Sequence, residues 1–190
     1  VGSGTKEVLD FLEIKEVSPD DFLHLKFNEP VYTNVDVLDY NYSNLIENTV
    51  SNFYNFPDKF ESTFSKFSSV ADIYFAGHYH NPKAPRLITN QDMKENSFNI
   101  DVIADISCDI DGPIASTIRP STIDNPIYGF HKLNSVECDF HDSNAIAVMA
   151  VDNLPCELPR DSSEMFGEMF LKHVCLLYTS DAADEELRGG

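Results

Sequence analysis

Three carboxylates, a hydroxyl and a thiol fall within seven residues in Asp105-Ile106-Ser107-Cys108-Asp109-Ile110-Asp111. Side chains of these types can grip the hydroxyl or ammonium groups of a polar ligand. Carboxylates this close also need water or a ligand to share their charge. A strand followed by a solvated acidic turn gives the same letters, so this stretch alone leaves two readings open. Before it runs the apolar Val102-Ile103-Ala104, and after it comes Gly112-Pro113. An apolar run breaking into polar residues and a turn signal reads as a buried parallel strand whose carboxyl end opens into a loop. Open α/β sheets bind ligands at those ends.

The pattern recurs. Val70 to Ala76 is apolar and ends in Gly77-His78-Tyr79, and Asn144 to Val151 ends in Asp152-Asn153-Leu154-Pro155. In a parallel sheet the three polar ends lie side by side and line one crevice. At the other end of the chain, Gly2-Ser3-Gly4 precedes apolar Val8, Leu9 and Leu12 at helix-face spacing. A small-residue loop running into a helix suits a pyrophosphate, because glycine lets the backbone approach it at the helix N-terminus. A capped helix start gives the same residues. With the glycines beside three strand ends, the chain reads as an α/β dinucleotide cleft.

The elements that must position these residues follow in order. Ile14 to Val17 is a short strand stopped by Ser18-Pro19-Asp20-Asp21, so loop, helix and strand form the middle of a βαβ unit whose first strand is missing. Residues of about 23–67 are rich in Asn, Asp, Ser and aromatics and read as a helical insertion after the second strand. Within it Asn44 to Phe56 is expected as a helix, and a second helix would carry Phe60, Phe64 and Phe67 on one packing face. Thr89 is placed to cap a short helix from Asn90 to Lys94, and Ser116 to Phe130 is extended and hydroxyl-rich. Arg160 to Leu171 reads as a helix with a hydroxyl cap and apolar Met165, Phe166, Met169 and Phe170.

Composition bounds the partners. The 190 residues carry a formal net charge of −19, from 13 basic and 32 acidic side chains. No basic stripe interrupts this, which excludes charge-driven binding to nucleic acid or an anionic membrane. Hydrophobic residues make up 42% of the chain, with 14 Phe and 8 Tyr, enough to bury a core. No apolar run approaches the ~18 residues that span a bilayer. Cys108, Cys138, Cys156 and Cys175 form neither a CxxC pair nor a disulfide framework, so reduced thiols and a cytoplasmic setting are expected, without a metal.

The strand-end blocks carry a family resemblance. Val102-Ile103-Ala104-Asp105-Ile106-Ser107-Cys108-Asp109 with Gly112, Thr122-Ile123-Asp124-Asn125-Pro126-Ile127-Tyr128, and Val151-Asp152-Asn153-Leu154-Pro155 with Leu158-Pro159-Arg160 and Phe166-Gly167 resemble the saccharopine dehydrogenases. They also resemble the lysine–oxoglutarate reductase domain of bifunctional lysine-degrading enzymes, within the alanine dehydrogenase and transhydrogenase superfamily. Pro85-Arg86-Leu87-Ile88-Thr89-Asn90-Gln91-Asp92 looks closer to the reductase branch. The resemblance covers Val1 to about Val174 and implies a Rossmann-like parallel sheet with flanking helices over residues 1–174. It implies NAD or NADP as cofactor and hydride transfer at the carbon–nitrogen bond of saccharopine, with lysine and 2-oxoglutarate among the small-molecule partners. By the family pattern Gly2 and Gly4 match the end of the pyrophosphate loop. Tyr79, Ile106, Val151, Asp152, Asn153 and Leu154 match cofactor contacts, and Ser107, Cys108 and Asp109 match substrate contacts.

Two departures stand out. The family's acid–base Lys and His belong to an N-terminal domain, so no catalytic residue is expected here, and His78 and His80 read as cleft wall or surface. The position that reads the adenosine ribose carries Ser18, with Asp20 and Asp21 beyond it, which leaves the choice between NAD and NADP open. Residues 175–190 resemble translated sequencing-adapter read-through and are expected to be non-native and disordered. The piece itself is expected to be inactive and to bind dinucleotide weakly. An alanine dehydrogenase-like fragment and a non-catalytic dinucleotide-binding module are the competing readings.

Overall fold

The computed structural model describes residues 2–175, and the expectation for the tail beyond Cys175 lies outside them. The chain divides into two compact units, one running to Asp152 and the other starting at Asn153.

The first unit is built on a five-stranded sheet. Its strands are β5 (Ile73–Ala76), β6 (Val102–Asp105), β7 (Ile127–His131), β8 (Val136–Cys138) and β9 (Ala145–Met149), in the spatial order β5-β6-β9-β7-β8. β5, β6 and β9 run parallel, in the register Ile73↔Val102↔Ala147 and Phe75↔Ala104↔Met149. β7 and β8 run antiparallel to their neighbours. The apolar runs form strands because alternate residues enter the core: Ile103, Ile146, Val148, Tyr128 and Phe130 are buried, while Val102 and Ile127 on the other face are exposed. Ile88, Met93, Ile100 and Ile114 complete this core from the connecting segments. The architecture is a mixed, mostly parallel sheet flanked by helices, of the Rossmann-like α/β class.

Ahead of this sheet, helix α1 (Gly2–Phe11) leads to a two-residue strand β1 (Lys15–Glu16), which pairs in parallel with β2 (Val31–Tyr32) around helix α2 (Pro19–His24). A Lys6–Glu16 ion pair and a Tyr32 hydroxyl donating to Asp10 at 2.7 Å tie α1 to this pair. The residues after β2 add an antiparallel pair, β3 (Asn41–Tyr42) with β4 (Glu61–Ser62), and two short helices, α3 (Val50–Asn55) and α4 (Ser65–Ser68).

Four expectations about the first unit need correction. The glycines at the start are helical, with α1 beginning at Gly2 instead of following a loop. Ser18-Pro19 stops β1 as expected but also starts α2, with the Ser18 hydroxyl accepting from Asp21 N at 3.1 Å and Pro19 in the first turn. The insertion is less helical than its pattern suggested. Asn44 to Phe56 yields six helical residues because Thr49 caps at Val50, and Phe60, Phe64 and Phe67 are buried from a turn, a loop and α4 instead of one helix. The extended segment ending at Phe130 supplies β7, which forms a hairpin with the unforeseen β8. Gly129 permits this, because a Cβ there would stand 2.6 Å from Phe140 N and 2.7 Å from Asp139 O.

The second unit opens with Asn153 in the left-handed region (φ 56°) and a 3-10 turn, Leu154–Cys156. It continues as α5 (Pro159–Phe170), which Leu158 precedes without a side-chain cap, contrary to the hydroxyl cap expected. Phe166 and Phe170 stack at 5.9 Å on its exposed surface.

Candidate functional site

β6 ends on Asp105, whose side chain is fully buried. Burying a carboxylate is unfavourable unless donors replace its water. Here three do: Ser107 Oγ donates to Oδ1 at 2.6 Å, Cys108 N donates to the same oxygen at 3.1 Å, and Thr117 Oγ1 donates to Oδ2 at 2.6 Å. Asp105 is therefore the anchor that folds the loop after β6. Thr117, twelve residues downstream, was not singled out from sequence; the hydroxyls of Ser116-Thr117 were its only signal.

The anchored loop is tightly wound. Cys108 and Asp111 take positive φ, 50° and 56°, a conformation that side chains other than glycine adopt at a cost. Gly112 N donates to Asp109 O at 2.9 Å, and a Cβ on Gly112 would stand 2.5 Å from Asp109 Cβ. Cys108 Sγ donates to Ala150 O at 3.1 Å, joining this loop to the end of β9. Burial pushes the Cys108 thiol up, and the charges of Asp152, Asp105 and Asp109 push it further the same way. A thiol raised in this way favours its protonated form over the nucleophilic thiolate.

The parallel strands bring three loops to one edge. Ile106 N and Ser107 N donate to Ala76 O at the end of β5, at 3.0 and 3.2 Å. Arg86, from the loop after β5, donates to Asp111 O at 2.9 Å. At β9, Ser121 N donates to Ala150 O and Ser121 Oγ accepts from Ala150 N, so Val151 is buried while Asp152 is exposed. Ile106, Ser107 and Cys108 are half-buried, Asp109 is exposed, and Tyr79 stands 86% exposed. Tyr79, Ile106, Ser107, Cys108, Asp109, Val151 and Asp152 follow the carboxyl ends of the parallel strands β5, β6 and β9. Gly2 and Gly4 sit on α1, with open space where a Cβ would be, and Asn153 and Leu154 belong to the second unit.

His78 and His80 line the loop after β5. Burial lowers the affinity of each for a proton, most plainly at His78, whose Nε2 is sealed from water without a hydrogen-bond partner in the described structure. Beside them lies a pocket of about 50 Å3. Sequence reasoning assigned no chemistry to the insertion that walls it.

An edge with an apolar wall at Ile106, acceptor carboxylates at Asp109 and Asp152 and an exposed ring at Tyr79 suits a dinucleotide, whose ribose hydroxyls donate and whose rings stack. Arg86 gives one of its five N–H groups to Asp111 O.

Parallel strands opening on one polar edge define an α/β domain of the Rossmann-like class. Residues 33–188 match the family described as alanine dehydrogenase/PNT, C-terminal domain, and the chain belongs to that family. Among curated relatives, alpha-aminoadipic semialdehyde synthase of Arabidopsis thaliana is 29% identical over 123 residues, covering 63% of this chain and 12% of the relative. The mitochondrial alpha-aminoadipic semialdehyde synthase of Bos taurus is 23% identical over 205 residues, covering 96% and 22%. The saccharopine dehydrogenase [NAD(+), L-lysine-forming] of Emericella nidulans is 29% identical over 117 residues, covering 60% and 30%. The chain therefore spans less than a third of each of these three relatives. Among the described residues no helix is long and apolar enough to cross a membrane.

Proposed function

We propose that this chain is the cofactor-binding part of an oxidoreductase that acts on the carbon–nitrogen bond of saccharopine with NAD or NADP. One observation carries the reading: the carboxyl ends of β5, β6 and β9 meet at a single edge with Ser107 to Asp109 in the middle. The nicotinamide supplies a hydride acceptor or donor. Tyr79, Ile106, Val151 and Asp152 hold the dinucleotide, and Gly2 and Gly4 leave room for its pyrophosphate. Ser107 and Asp109 present an acceptor and a carboxylate to the ammonium groups of an amino-acid substrate, while the protonated Cys108 packs the loop onto β9. Asp105 orients this trio and touches no substrate. Proton transfer falls to a Lys and a His of an N-terminal domain of the longer protein, and the compartment is cytoplasmic.

The test is a steady-state assay of the longer protein carrying this chain, with saccharopine, with lysine plus 2-oxoglutarate, and with alanine. Turnover of saccharopine, or of lysine plus 2-oxoglutarate, is expected, with kcat/KM about tenfold lower or less in Asp109→Ala. Turnover of alanine alone would replace the reading with an alanine dehydrogenase, an activity that the matched family's description names.

A further inference from the structure

The pocket beside the loop after β5 has a composition that packing alone does not explain. Its walls are apolar and aromatic, from Tyr40, Phe53, Tyr54 and Leu87. Asn41 and His78 also line it. Asn41 is 3% exposed; its Nδ2 donates to Val37 O at 2.9 Å, which fixes the amide, and its Oδ1 is sealed from water with no partner among the described residues. His78 Nε2 is in the same position. Buried polar atoms are satisfied in the great majority of cases, so two orphans bordering one cavity require an account. Tyr54, 60% exposed and packed edge-on against Phe53 at 5.7 Å, and Tyr79, 86% exposed, also line this pocket.

We propose that this pocket reads one end of the dinucleotide, by gripping a neutral planar group that carries an N–H donor beside an acceptor. Asn41 Oδ1 takes the donor and His78 Nε2–H serves the acceptor. An adenine edge and a carboxamide both carry that pair, and a nicotinamide dinucleotide contains one of each. Burial holds the His78 imidazole neutral, which leaves it one N–H to give and no charge to repel or attract. The flat aromatic walls favour a planar group over a tetrahedral phosphate or an ammonium. The inference rests on the dinucleotide reading and makes Asn41, a residue of the insertion, a determinant of affinity.

The experiment is ligand-observed saturation-transfer NMR on the whole chain with adenosine and, separately, nicotinamide riboside, each titrated to millimolar concentration. NADH is titrated in parallel. One of the two nucleosides is expected to bind, and Asn41→Leu and His78→Phe are each expected to weaken it, and NADH, by about five- to tenfold, the worth of one neutral hydrogen bond. His78 makes no described side-chain hydrogen bond, so His78→Phe decides the matter should Asn41→Leu fail to fold. NADH binding that both variants leave within twofold, while Asp152→Ala weakens it, overturns the pocket and leaves the cofactor reading standing. A nucleoside that binds through Asn41 without any binding of NADH overturns the cofactor reading, and with it the assignment of this pocket to a dinucleotide. Binding by neither nucleoside overturns the pocket.

Discussion

Two loops leave neighbouring parallel strands at the same edge and solve the same problem in opposite ways. After β6, the buried carboxylate of Asp105 meets donors on both oxygens, and the chain is wound so closely that Gly112 has no room for a side chain. After β5, His78 Nε2 is buried without a partner among the described residues, Tyr79 projects into solvent, and a pocket opens behind them. A satisfied polar network specifies one geometry, whereas unsatisfied groups leave free energy to be recovered by a ligand. The first loop is a fixed wall; the second is where affinity can be gained.

The largest effect should come from breaking the wall. Asp105→Ala removes the acceptor for Ser107, Cys108 N and Thr117 and leaves at least the buried Thr117 hydroxyl and the Cys108 N–H stranded. Urea unfolding is expected to show a loss of about 3–5 kcal/mol, in the range of broken buried networks. Asp105→Asn keeps one acceptor oxygen and should recover more than half of that. If Asp105→Ala lowers stability by less than about 1 kcal/mol, the loop is not held by this carboxylate.

Glycine substitution sharpens the same contrast. Gly112→Ala forces a Cβ to within 2.5 Å of Asp109 Cβ and 2.6 Å of Asp109 O, and should destabilise by about 1–3 kcal/mol. Gly4 sits inside α1 with nothing within 4 Å of a Cβ, so Gly4→Ala should stabilise by up to about 1 kcal/mol through helix propensity. Thermal melts of the two variants moving in the same direction would show that close packing does not set the difference.

The contrast also explains what the sequence made legible. β5, β6 and β9 are continuous apolar runs ended by polar residues, a pattern that survives any tertiary context, and their shared edge followed from the parallel pairing. The antiparallel hairpin of β7 and β8 was hidden because Ser135, not glycine, takes the positive φ near its turn, and because β8 is only Val136–Cys138. The insertion misled for a related reason. Phe60, Phe64 and Phe67 have helical spacing, yet Pro57 and the pairing of β3 with β4 break the helix while leaving all three rings buried. The Asp105 network needed Thr117, brought in by a connection whose path no local pattern reveals. Asn41 was illegible because a buried amide acquires meaning only from the neighbours it lacks.

The smallest effect is read on the open loop through pH. Burial depresses His78 below its ordinary value of 6.5, with Asp105 and Asp109 pulling weakly upward and His80 adding to the depression. A histidine depressed in the folded state takes up its proton more readily when unfolded. Its contribution is therefore undiminished above pH 6.5 and is lost as pH falls from there through the folded-state value. His78→Phe removes this dependence, so its stability should decline less steeply with acid below pH 6.5 than that of the unsubstituted chain, the two curves staying parallel above it. His80, depressed by burial as well, supplies the residual slope. Parallel curves through the acid range would mean that His78 is as well hydrated folded as unfolded, which would also deny it a place in a dry pocket.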